Sequence, residues 1–185
     1  MAKTVGDFVV ERLRTWGVRR VFGFPGDGIN GIMAAFEHEG DERPRFIQAR
    51  HEEMAAFMAG AHAKFTGEPG VCLATSGPGA IHLLNGLYDA AMDHQPVVAI
   101  VGQSATTALG GDYQQEVDLQ TLFKDVAAEF CMTVASPAAM RHCVDRAIRV
   151  ALDQRSVTCI IVPKDVQEMD AVTEQPHEHG TVHSA

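Results

Sequence analysis

The feature that most constrains this chain is the alternation of short β-rich apolar runs with helical patterns. Strands are expected at Arg20–Phe24, Arg45–Ala49, Val71–Thr75, Pro96–Gly102, Phe130–Ala135 and Val157–Val162, with amphipathic stretches between them. Strands that alternate with helices pair in parallel, because each crossover returns the chain to the same edge of the sheet with right-handed sense. The fold class expected is therefore α/β: a three-layer α/β/α sandwich around a six-stranded parallel sheet. Pro96–Gly102 is apolar almost throughout, as befits a central strand covered on both faces. Sheets of this kind bind ligands at the carboxyl ends of their strands, which directs attention to the loops after residues 24, 49, 75 and 102.

Helix faces follow from spacing. Thr4 caps a first helix that turns Val5, Phe8, Val9, Leu13 and Trp16 inward, and Gly17 ends it. A second helix carries Ile29, Ile32, Met33 and Phe36. Over 52–66, Met54, Phe57, Met58, Ala61 and Phe65 are expected inward, and in the following helix Ile81, Leu84, Leu87 and Ala91. Near the end, Pro137 opens a helix with Met140, Val144, Ile148 and Leu152 inward. From Lys164 the chain turns polar and loses its apolar period. The reading is a domain over 1–168 and a polar tail or interdomain linker over 169–185, with His177, His179 and His183 solvated rather than metal-binding.

Composition narrows the function classes. A chain of 185 residues with 46% hydrophobic and 21% charged side chains can bury one core. A net charge of -9 argues against a nucleic-acid partner. No apolar run approaches the ~20 residues of a transmembrane segment, and the first residues lack a signal core. Cys72, Cys131, Cys143 and Cys159 are scattered without a Cys-x-x-Cys pair, as in reduced cytoplasmic proteins.

Four loops could carry chemistry. Phe24-Pro25-Gly26-Asp27-Gly28-Ile29-Asn30-Gly31 has the Gly-x-Gly-x-x-Gly spacing of a dinucleotide site, but no acidic residue ends the next strand; a plain tight turn has the same appearance. Arg50-His51-Glu52-Glu53 sits at a strand-to-helix junction. A glutamate there complements the helix dipole; held in an apolar pocket, Glu52 would instead have a raised pKa suited to proton exchange. Thr75-Ser76-Gly77-Pro78-Gly79 is either a simple turn or a close approach for a flat ligand. Gly110–Asp118 belongs to a long polar loop, functional or simply mobile.

In order and spacing, these pieces resemble one family. Val21-Phe22-Gly23-Phe24-Pro25-Gly26, Arg50-His51-Glu52-Glu53, Thr75-Ser76-Gly77-Pro78-Gly79, Asn85–Ala90, Asp93-His94-Gln95-Pro96, Ile100-Val101-Gly102-Gln103 and Gln115-Glu116 are similar to the N-terminal, pyrimidine-binding domain of thiamine-diphosphate enzymes of the pyruvate oxidase and acetolactate synthase group. The resemblance covers about residues 4–168. It implies a thiamine-diphosphate-binding fold, with Glu52 hydrogen-bonded to N1′ of the cofactor's aminopyrimidine so that the C2 proton of the thiazolium is removed. A 2-keto acid such as pyruvate is then attacked and loses carbon dioxide. By position, Pro25, Gly26, Thr75, Pro78, Gly79 and His82 would bind cofactor, and Gln115 would face the substrate or a flavin channel. His82 and the Asn85–Ala90 run resemble pyruvate oxidases and quinone-linked pyruvate dehydrogenases more than acetolactate synthases.

Two departures are visible. Gln114 stands where the family often has Phe, which bears on substrate preference. The family's Gly-Asp-Gly with a downstream Asn, which binds diphosphate and Mg2+ in a separate domain, has no counterpart: Gly26-Asp27-Gly28 lies in the first loop and the asparagines are Asn30 and Asn85. The resemblance thus implies no metal ligands here, Mg2+ through a domain absent from this chain, and FAD in some full-length members. It also implies a diphosphate-binding partner domain of the same or another chain, a homo-oligomer, and an inactive isolated chain. Carboligation to acetolactate, or a non-catalytic binding module, are the rival functions.

Overall fold

The computed structural model describes residues 3–37 and 44–173. The elements run α1 (Val5–Thr15), β1 (Arg20–Gly23), α2 (Asn30–Glu37), β2 (Arg45–Gln48), α3 (Glu52–Thr66), β3 (Gly70–Ala74), α4 (Pro78–Met92), β4 (Val97–Gln103), α5 (Leu119–Phe123), β5 (Cys131–Thr133), α6 (Met140–Gln154), β6 (Val157–Pro163) and α7 (Lys164–Glu168). The six strands form one sheet in the order β2-β1-β3-β4-β6-β5, and every pair is parallel. The α/β/α reading of the sequence holds, with each strand placed within a residue or two of its expected bounds.

Side-chain alternation along the strands builds two cores. Val21, Val71, Leu73, Val98, Ile100, Ile160 and Val162 face α1, α2 and α6. Phe22, Cys72, Ala74, Ala99, Val101, Cys159 and Ile161 face α3, α4 and α5. β4 and β6 are buried at every position, as central strands with helices on both sides must be. Thr4 caps α1 through a reciprocal capping box with Asp7. Arg12 donates two bonds to Asp145, at 2.6 and 2.8 Å, and Trp16 Nε1 a third at 2.7 Å, tying α1 to α6.

Chain order leaves β1 going one way across the sheet and β3 the other. The β1/β3 boundary is therefore where the strand order reverses, the general ligand position in such sheets.

Two expectations are corrected. In α3 the inward face is Glu52, Ala55, Ala56, Ala59, Gly60 and Ala63, while Met54 and Phe65 are 52% and 84% exposed; Ala61 is also exposed and Phe57 and Met58 are half-buried. α4 likewise buries Ala80, Leu83, Gly86, Leu87 and Ala90 and turns Ile81 outward, with Leu84 and Ala91 half-buried. The reason is steric. A Cβ on Gly86 would come within 2.7 Å of Ala56 Cβ, so the two helices cross through small residues, and Met54, Phe65 and Ile81 are left outside. The second correction is the polar stretch from Lys164. It opens with α7, whose Val166 and Gln167 are buried, and Asp170 then bridges Thr4. The stretch joins the domain because Gln167 supplies hydrogen bonds that a periodicity search does not weigh. The histidines of the tail lie outside the described residues.

Candidate functional site

Three strand ends build the site. β2 runs out at Gln48, and His51 caps α3 by accepting from Glu53 N at 3.3 Å. This puts Glu52 in the first turn, 7% exposed. Beyond β3, Thr75-Ser76-Gly77 turns into α4, with Pro78 at its first position. The half-buried loop after β1 brings Pro25 and Gly26 alongside: a Cβ on Gly26 would fall 2.5 Å from Thr75 Cβ, and Gly28 N donates to Thr75 Oγ1 at 2.9 Å.

Glu52 meets this junction from the α3 side. Its Oε1 lies 3.1 Å, and Thr75 Cγ2 lies 2.6 Å, from where a Cβ on Gly79 would stand. The absent side chain thus keeps the carboxylate reachable. The other oxygen, Oε2, lies within hydrogen-bond distance of His82 Nδ1, at 3.0 Å. His82 is half-exposed on α4, and its ring lies 4.4 Å from that of His51, centroid to centroid. Glu53 points away and accepts from Asn85 at 2.5 Å. Ala55 and Ala56 are fully buried behind Glu52, while Met54, expected beside it, faces out.

The arrangement offers a buried acceptor, a half-exposed imidazole and a floor of small residues. His51, Glu52 and His82 also each place one ligand-type atom within 4.8 Å of the others, a set that could hold a metal ion, although the sequence alone marks no metal ligands.

Gln115 does not join Glu52 directly. It lies across the Ser76–Gly77 turn, where a Cβ on Gly77 would meet Gln115 O at 2.6 Å; both residues have positive φ, at 61° and 63°. Gln115 lines a cavity of about 580 Å3 together with Asp27, Ser76, Gln103, Tyr113 and Lys164. Lys164 bonds both oxygens of Asp27, at 2.9 and 3.0 Å, and this contact holds its ammonium above the usual lysine range. At the far side, Asp165 accepts from Thr106 N at 3.0 Å.

Sequence reasoning missed Lys164, Asp165 and Gln167. Gln167, fully buried, donates to Gly28 O at 2.8 Å and Val162 O at 3.0 Å and accepts from Ile32 N at 3.3 Å, so it fixes the glycine-rich loop from below. All three follow the carboxyl end of β6, so the strand-end rule that flagged the other loops would have found them.

Residues 3–122 match the family described as the N-terminal TPP binding domain of thiamine pyrophosphate enzymes. YdaP of Bacillus subtilis, whose name describes it as containing thiamine pyrophosphate, is 46% identical over 164 residues, 89% of this chain and 28% of its own. Pyruvate oxidase of Lactiplantibacillus plantarum is 44% identical over 161 residues, 87% of this chain and 26% of its own. The large subunit of acetolactate synthase isozyme 2 of Escherichia coli is 40% identical over 161 residues, 86% of this chain and 29% of its own. The chain spans less than a third of the length of these relatives.

Proposed function

The chain belongs to the thiamine pyrophosphate enzymes, as their N-terminal TPP-binding domain, and from that premise we propose that it supplies the aminopyrimidine half of the active site in an enzyme of oxidative pyruvate decarboxylation. The observation that carries this reading is the buried Glu52 carboxylate, open toward Gly79 and held by His82.

The residues fit the group. A ring nitrogen that carries a proton needs a buried carboxylate, and a flat ring needs walls without side chains. Glu52 answers the first need; Gly26, Thr75 and Gly79 answer the second. When bound, thiamine diphosphate supplies the electron sink for decarboxylation. Glu52 holds a proton at the pyrimidine ring nitrogen. His82 holds Glu52 in that orientation through its Nδ1–H. Pro25 and Pro78 wall the pyrimidine, and Gln115 faces the substrate from the neighbouring cavity, whose volume of about 580 Å3 leaves room for a 2-keto acid. Residues 1–168 form the domain, and 169–185 begin a connection to the rest of the enzyme.

A carboxylate and a recess do not bind a diphosphate. Mg2+ and the diphosphate would be held by another domain, of the same or another chain, so the isolated chain is inactive. The exposed apolar side chains of α3 and α4, Met54, Phe65, Ile81 and Met92, support this reading, because uncovered apolar side chains gathered on neighbouring helices suit a contact surface. A homo-oligomer of the full-length enzyme follows. The free cysteines suit a cytoplasmic setting, and no helix among the described residues is long and apolar enough to cross a membrane.

The test uses the full-length protein with thiamine diphosphate, Mg2+, pyruvate and an artificial electron acceptor. Reduction of the acceptor in step with carbon dioxide release supports the reading. Accumulation of acetolactate with no reduced acceptor overturns it in favour of carboligation.

A further inference from the structure

Cys131 opens β5, a three-residue strand at the edge of the sheet, and stands directly opposite Cys159 of β6 in parallel register. Side chains opposite each other in a parallel pair leave the sheet on the same side, and both cysteines meet the core beneath α5. Neighbouring strands lie about 4.8 Å apart. That spacing falls inside the Cα separation of about 4.4–6.8 Å that a disulfide spans. The thiols share a hydrogen bond, which holds Cys131 below the usual thiol range; burial and the same contact hold Cys159 above it.

Access is unequal. Cys159 is fully buried. Cys131 is half-buried and lines a surface cleft of about 400 Å3 beside Thr121, Lys124 and Ala128. The other cysteines are not placed to compete. Cys72 is separated from Cys159 by Ala99 of β4, and Cys143 belongs to the core on the opposite face of the sheet.

We propose that Cys131 and Cys159 form a peroxide-oxidisable pair, Cys131 as the attacked thiol and Cys159 as the resolving one. The Cys131 sulfur attacks one oxygen of hydrogen peroxide and the O–O bond breaks. Sulfur is oxidised to sulfenic acid and the departing oxygen leaves as water. The Cys159 sulfur then attacks the Cys131 sulfur; the S–S bond forms, the S–OH bond breaks, and a second water carries away the Cys159 proton. Two thiols and one peroxide thus become one disulfide and two waters. The inference concerns the edge of the sheet opposite β2 and Glu52 and does not depend on the cofactor assignment.

The test treats the native full-length protein with hydrogen peroxide, blocks free thiols with an alkylating reagent under denaturing conditions, and maps tryptic peptides by mass spectrometry. Peptides 125–141 and 156–164 are expected to be joined, and to separate on treatment with dithiothreitol. In Cys159→Ser, Cys131 is expected to accumulate as sulfenic acid captured by dimedone. Without peroxide, alkylation of Cys131 in the native protein should be at least about tenfold faster than that of Cys159. The proposal is overturned if Cys131 proceeds to sulfinic acid while Cys159 stays reduced, if it pairs with a second molecule, or if it stays unmodified.

Discussion

Glu52 gains its chemistry from neighbours on two other elements, not from its own helix. Taken alone, a glutamate in a first turn is a dipole partner; buried and within hydrogen-bond distance of His82, it places Oε1 beside the space left by the missing side chain of Gly79. Gly79→Val should lower the thiamine diphosphate affinity of the full-length enzyme by at least tenfold, about 1.4 kcal/mol. A cofactor titration of activity measures this, with circular dichroism to confirm an intact fold; unchanged affinity would place the cofactor elsewhere. Strand ends directed attention to the loops of Glu52, Thr75 and Gly79, but each loop alone also read as a plain junction or turn, and their proposed cofactor roles come from the family resemblance. The His82–Glu52 contact was not legible, because it joins residues thirty apart through the packing of α3 on α4.

At the scale of elements, α7 was the least legible piece. Its five residues are mostly polar, and its value lies in one side chain, Gln167, that satisfies three backbone groups at once. Gln167→Leu should cost about 1–3 kcal/mol, since buried carbonyls lose their donor without water to replace it. Urea unfolding reads the loss, and amide exchange should rise first around Gly28 and Ile32. The loop between β4 and α5 has an anchor of another kind. Glu116 accepts from Gly110 N at 2.6 Å and Tyr113 N at 3.0 Å, and these bonds lower its pKa. A lowered folded value means the anchoring is complete above the ordinary glutamate range, about 4.3, and is lost as pH falls through the folded value below it. The amide signals of Gly110 and Tyr113 should therefore move together in an acid titration whose midpoint lies below that range; a midpoint above it would contradict the contact. The misread face of α3 has a single physical cause. Counting apolar size favours Met54 and Phe65, whereas close helix packing selects Ala and Gly, and here packing prevails.

For the whole molecule, the proposed reading makes the domain one half of a cofactor site. Exposed apolar residues on α3 and α4 include Met54, Phe65, Ile81 and Met92. Both are explained together if a diphosphate-binding domain docks there. Phe65→Glu with Met92→Glu should reduce the oligomeric mass of the full-length enzyme, measured by light scattering, and weaken its cofactor binding while leaving this fold intact, because neither side chain belongs to the core. An unchanged mass would remove α3 and α4 from the interface. The six-stranded parallel sheet was accessible from the sequence, since strands that alternate with helices allow few alternatives; the order of the strands was not read from it. The outward turn of Met54, Phe65 and Ile81 was not accessible, because the same apolar residues read as core until the helices are packed. The measurement that tests the account most directly is turnover of the full-length enzyme on pyruvate with Glu52→Gln, at saturating thiamine diphosphate and Mg2+. Loss of the buried carboxylate should reduce turnover by at least about a hundredfold with assembly unchanged; turnover equal to that of the unsubstituted enzyme would contradict the assignment of Glu52 and of the site built around it.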